Sequence, residues 1–126
     1  MKRFAICTVL FPLLLALGAL CMSELTHVKK DVLSSVDELY QAVESGDTAQ
    51  AGELAEEFQQ HWENTEHHIM AFVRHGELDE ITMSVAKLPA LIEYEETASV
   101  LAELDTIRRV ITHIWDSERF LFRNIV

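Results

Sequence analysis

The sequence predicts an all-α protein. An N-terminal transmembrane helix leads into a small bundle of about four antiparallel helices, arranged as two helical hairpins. Three observations carry this. Lys2 and Arg3 precede an uncharged, almost wholly apolar run from Phe4 to Met22, and the first acid is Glu24. The rest of the chain carries apolar residues in steps of three and four, the period of a helix with one buried face. The whole chain holds only four Gly and two Pro, and its β-branched residues do not alternate with polar ones as strands require.

Residues 1–22 read as a membrane anchor or signal segment. Phe4–Met22 is 19 residues long. At about 1.5 Å per residue it reaches roughly 28 Å as a helix, close to the hydrocarbon thickness of a bilayer. A secretory h-region is shorter, about 7–15 residues, so length favours a retained anchor. Cleavage is the alternative. Ala16-Leu17-Gly18 and Ala19-Leu20-Cys21 both place small residues where a signal peptidase needs them. Lipidation of Cys21 is disfavoured by Leu20, because a small residue is expected there. Lys2 and Arg3 before the run, against Lys29 and Lys30 well after it, favour a single-pass protein with its N-terminus in the cytoplasm and its C-terminal domain outside. The cleaved alternative is secreted. Pro12 removes one helical hydrogen bond, which membrane helices tolerate.

Residues 23–115 read as an acidic helical bundle. From Leu25 the stripe continues through Val28, Val32, Val36, Leu39, Tyr40 and Val43. Gly46 suits a helix C′ position and Asp47 the next N-cap, with Gln50 placed to complete a capping box. The second helix carries Ala51, Leu54, Ala55, Phe58, Trp62, Ile69, Phe72 and Val73, and Gly76 is expected to close it. A third helix is expected near Glu77–Asp79, whose acids favour a helix N-terminus. It carries Ile81, Val85, Leu88 and Ile92, with Pro89 expected to kink or break it. A fourth helix follows from about Thr97 with Val100, Leu101, Leu104, Ile107, Ile111 and Ile114.

A shift of 49 residues lays Val36 on Val85, Leu39 on Leu88, Ala55 on Leu104, Phe58 on Ile107 and Trp62 on Ile111. Two hairpins of similar design are the natural reading, although amphipathic patterns also coincide by chance. Neither hairpin buries its stripe alone, so the two are expected to pack together.

Residues 116–126 form an apolar and basic C-terminal tail. Phe120, Leu121, Phe122, Ile125 and Val126 surround Arg119 and Arg123. The expectation is that the tail folds back and caps the bundle. The alternative is docking on a partner or membrane surface, which makes Phe120, Phe122, Arg119 and Arg123 the interaction candidates.

Residues 23–126 hold 21 acids against eight Lys and Arg, a net charge of −13. This argues against nucleic acid and against adhesion to anionic lipid. Both cysteines, Cys7 and Cys21, lie in the leader, so no disulfide is expected in the outer domain.

Among residues able to bind a cation, His61, His68 and His75 are spaced by seven. On one helix each step drifts only about 20°, so the three share a stripe. Successive members lie about 10.5 Å apart, too far to share a metal. A site needs one of them plus a ligand from another helix, such as His113 or Glu77. The ordinary reading is a boundary stripe of partly exposed histidines. A di-iron carboxylate site needs two Glu-x-x-His motifs, and only Glu24–His27 fits. Trp62 and Phe58 read as core. No serine lies in a nucleophile elbow, and there is no phosphate loop or paired-Cys signature. No catalytic motif and no cofactor is therefore expected.

The chain also resembles a bacterial family catalogued as domain of unknown function 4363. The likeness rests on the Met-Lys-Arg start with one apolar segment, and on the hairpin from Gly46-Asp47 through Trp62. It continues in the His75-Gly76-Glu77 junction, Ile81, the pair His113-Ile114, and the ending Arg123-Asn124-Ile125. Trp115 stands where the family pattern tends to have Pro, which leaves the end of the last helix open. The resemblance implies a small single-pass envelope protein with no established activity. The function expected is a non-enzymatic scaffold or interaction module. The alternative is a binding module for a cation or small ligand, using bundle histidines and glutamates.

Overall fold

The computed structural model describes residues 1–71 and 73–125. Phe72 and Val126, counted above with the apolar residues, lie outside the described residues, as does the side chain of Ile125. Four helices account for almost all of the described chain: α1 (Lys2–Glu44), α2 (Thr48–Ile69), α3 (His75–Glu93) and α4 (Thr97–Ile125). Each helix packs chiefly against two neighbours, in the closed cycle α1–α2–α3–α4–α1. The connections are short, so neighbours run antiparallel.

The core is the set of stripes read from the sequence. Leu25, Val32, Val36 and Leu39 of α1 meet Ala55, Phe58 and Trp62 of α2, Ile81, Val85 and Leu88 of α3, and Leu104, Ile107 and Ile111 of α4; all are buried. The buried stripe of α1 starts at Leu25. N-terminal to it the helix leaves the bundle, and its apolar run stands exposed, with Phe4, Val9, Leu14 and Leu20 each more than half accessible. α1 is nonetheless one uninterrupted helix of 43 residues through Pro12, about 65 Å long at 1.5 Å per residue.

The two hairpin turns are the same turn, 49 residues apart. In the first, Ser45 N–H donates to Gln41 O, Gly46 to Val43 O, and Asp47 to Ala42 O. In the second, Tyr94 donates to Ala90 O, Glu95 to Ile92 O, and Glu96 to Leu91 O. Gly46 has φ +81° and Glu95 φ +55°, the left-handed residue that ends such a helix. Asp47 then caps α2, its side chain accepting from Gln50 N–H at 3.1 Å. The hairpins α1–α2 and α3–α4 thus repeat one another in their turns as well as in their stripes.

Three boundary expectations are corrected. α2 ends at Ile69 and does not run to Gly76; α3 already begins at His75, so Gly76 lies in its first turn. The stripe of α1 begins at Leu25, so a longer α2 would carry its apolar side chains past the end of the core. The chain turns instead at 70–74 and buries Val73 from the connection. α3 passes through Pro89 without a break. Proline forfeits one bond there, while Leu88 and Ile92 on either side remain buried. Finally, the C-terminal residues do not fold back: α4 continues through Trp115 and Asp116 to Ile125.

Candidate functional site

The antiparallel order places three segments at the leader end of the bundle: the start of the buried stripe of α1, the connection between α2 and α3, and the last turns of α4. There α4 overruns the core and lies along the leader. Phe122 is seated on Gly18, where a methyl group would stand 2.8 Å from its ring Cε2. A larger residue at 18 would push the Phe122 ring from that seat. Leu15, Gly18 and Met22 are the half-covered positions of the leader. Their spacing of three and four carries the α1 stripe upward from Leu25.

Trp115 organises this end. Its indole N–H donates to Thr26 Oγ1 at 3.0 Å, tying α4 to α1. Lys29 Nζ lies 4.0 Å from the centre of its ring and the Arg119 guanidinium 5.0 Å. Two cations against one indole are favourable because the ring face is electron-rich. Of the interaction candidates, Phe120 is exposed, Phe122 half-buried on the leader, and Arg119 and Arg123 exposed beside them. Leu121 is exposed as well.

The histidines are not brought together. His61, on α2, lies 3.8 Å from Asp31 of α1. His113, on α4, lies 3.5 Å from Glu77 of α3. His68 is exposed in the last turn of α2. His75 is the first residue of α3, so the single stripe expected of His61, His68 and His75 does not form. The turn at 70–74 takes His75 off that helix. Among the described residues no group of three or more His, Cys, Asp or Glu is placed to hold a metal ion. Around His113, Glu118 is the one perturbed carboxyl. Burial, reinforced by the nearby charge of Glu77 and partly offset by Arg74, holds its pKa above the usual carboxylate range.

The charge of residues 23–125 is strongly polarised along the bundle axis. The half nearest the leader (23–34, 59–71, 73–83 and 107–125) holds nine acids, seven Lys and Arg, and all six histidines. The far half (35–58 and 84–106) holds twelve acids and one base, Lys87. At the far end a shallow depression of about 290 Å³ opens between the two equivalent turns, lined by Val43, Ala51, Ile92, Glu95, Glu96 and Val100.

Sequence reasoning missed Thr26, Lys29 and Trp115 as one unit, and it missed Gly18 as a seat. Periodicity shows which face of a helix is buried. It does not show which residue of a neighbouring helix stands at the same height. The one local signal was Arg119, four residues after Trp115 and therefore on its face.

Fold and site together define a class: an antiparallel four-helix bundle carried on a long apolar leader, with seven of the eight Lys and Arg of the bundle in the half nearer that leader. The chain belongs to the family described as Domain of unknown function (DUF4363), which matches residues 19–125. The matched region therefore takes in the junction between leader and bundle. No curated protein and no solved structure matches the chain.

Proposed function

We propose that the protein is a single-pass component of the bacterial cell envelope. Its N-terminus lies in the cytoplasm, its leader is retained as an anchor, and its bundle is held against the outer face of the membrane as a non-enzymatic interaction module. One observation carries this reading. α1 passes from the exposed apolar run into the core stripe without a break, and α4 packs back onto the run at Gly18. The apolar window of α1 has a mean hydropathy of 2.5 and holds no fully buried residue, so most of it needs a covering that the bundle does not supply. Removing the leader after Gly18 or Cys21 would separate Phe122 from part or all of its packing surface. Retention keeps that contact.

The test is membrane fractionation with topology mapping. The full chain should stay in membranes through alkaline extraction, and intact-mass analysis should find Lys2 to Met22 still attached. A Glu38→Cys variant lacking Cys7 and Cys21 should react with an impermeant maleimide on whole cells. Release into the soluble fraction, a chain shortened within 16–22, or labelling only after lysis would each overturn the reading.

A further inference from the structure

We infer that the last turns of α4 form a second, interfacial membrane contact, specific for anionic phospholipid headgroups and built around Trp115, Arg119, Phe120, Leu121 and Arg123. The inference rests on the retained anchor. Geometry then fixes the height of these residues. Phe122 meets Gly18, four residues inside the apolar run that ends at Met22. At 1.5 Å per residue this is about 6 Å into the hydrophobic zone. Phe120 and Leu121 flank it and are 65% and 52% exposed, so with the leader in a bilayer they meet lipid. This depth matches an amphipathic helix buried about 5–10 Å at the headgroup–acyl boundary.

The polar groups fit the same plane. Trp115, Lys29 and Arg119 cluster just outside the end of the apolar run. An indole flanked by cations suits the membrane interface. Arg123 lies among the apolar residues, with a side chain long enough to return its charge to the headgroups. The net charge of −13 argued against contact with anionic lipid, but that figure averages two unlike halves. The half bearing twelve of the 21 acids points away, and the half facing the leader holds seven of the eight bases. The near half is itself net −2, but the segments at the leader end (23–30, 73–76 and 115–125) hold five Lys and Arg against three acids. Anionic headgroups therefore attract that end while they repel the far half, and the difference keeps the bundle upright.

The test uses the full chain without Cys7 and Cys21, reconstituted in vesicles and carrying one nitroxide. The vesicles are phosphatidylcholine alone, or phosphatidylcholine with phosphatidylglycerol. A label at Leu14→Cys reports the anchor and a label at Leu121→Cys reports the α4 end. We expect both labels to be accessible to oxygen and shielded from a polar nickel reagent. Shielding at 121 should increase with phosphatidylglycerol. Neutralising a cation, as in Arg123→Gln or Arg119→Gln, should lower the inserted fraction about fivefold relative to the free one, and the two substitutions together about 25-fold. Circular dichroism of each variant checks that the bundle remains folded. A label at 14 that meets water defeats the anchor reading itself. With 14 in lipid, a label at 121 in water overturns the inference. So does insertion that ignores both phosphatidylglycerol and the substitutions. Spin–spin broadening at 121 that vanishes on dilution with unlabelled chains would also overturn it, because a second copy would then be the cover.

Discussion

The hydrogen bond between Trp62 and Thr82 joins α2 to α3 and provides a quantitative test of the packing. Trp62 is 1% exposed, and its indole N–H donates to Thr82 Oγ1 at 2.9 Å. Thr82→Val keeps the shape of the side chain and removes the acceptor. A buried donor left without a partner costs about 1–3 kcal/mol. Thr82 is half-buried, so water reaches the edge of the site and the lower part of that range applies, about 1–2 kcal/mol. For a bundle of this size each kcal/mol lowers the melting temperature by about 4–8 °C, so the expected drop is about 4–16 °C. The stricter form is a double-mutant cycle. Trp62→Phe removes the donor, so in that background Thr82→Val should cost less than about 0.5 kcal/mol. The assay is urea unfolding of the full chain in non-ionic detergent, followed by far-ultraviolet circular dichroism, with unchanged slopes as the check on the denatured state. If Thr82→Val costs the same in both backgrounds, the hydrogen bond is not what joins the two helices, and the packing at this level needs a different account.

Three further outcomes are open to the same assay. Glu95 occupies in the second turn the left-handed position that Gly46 fills in the first, so Glu95→Gly should stabilise by about 0.5–1 kcal/mol and Gly46→Ala should destabilise by about 1 kcal/mol. Equal and opposite signs from those predicted would show that the two turns are not equivalent. Asp47→Ala removes the N-cap of α2 and should cost about 1 kcal/mol; an unchanged midpoint would mean the cap is replaced by water. Glu118, with its pKa raised by burial and by Glu77, binds its proton more tightly folded than unfolded. Stability from this group is therefore full below the ordinary carboxylate range and is lost as pH rises through its folded pKa. Glu118→Gln should match the parent in acid and exceed it at neutral pH, and thermal melts across that range that stay parallel would refute the assignment.

Stripes of apolar residues made the four helices legible, because burying one face is a one-dimensional property of spacing. Gly46 and Asp47 marked their turn for the same local reason. The α2–α3 connection was less visible. Ile69, Phe72 and Val73 satisfy the helical period as well as a turn does, and only the height at which Leu25 starts the core decides where α2 stops. Trp115 continued α4 where a helix end had been left open, since Ile111 and Ile114 already anchor that face. The candidate site was legible in its residue types and not in its pairings. Phe120, Phe122, Arg119 and Arg123 were found from composition. Their relation to Gly18, Thr26 and Lys29 depends on the vertical register of two helices 89 residues apart along the chain, which no local pattern encodes.

The continuity of α1 has a mechanical consequence. A helix without a joint transmits angle as well as position, so the compass bearing of Gly18 fixes the bearing of Leu25 in the core. Each residue inserted between Met22 and Leu25 would turn the leader by about 100° and lift it by about 1.5 Å, carrying Gly18 away from Phe122. Seven added residues would restore the bearing to within about 20° while raising the bundle by about 10 Å. The leader is thus a keyed shaft: anything that grips one of its faces also sets which side of the acidic bundle looks out.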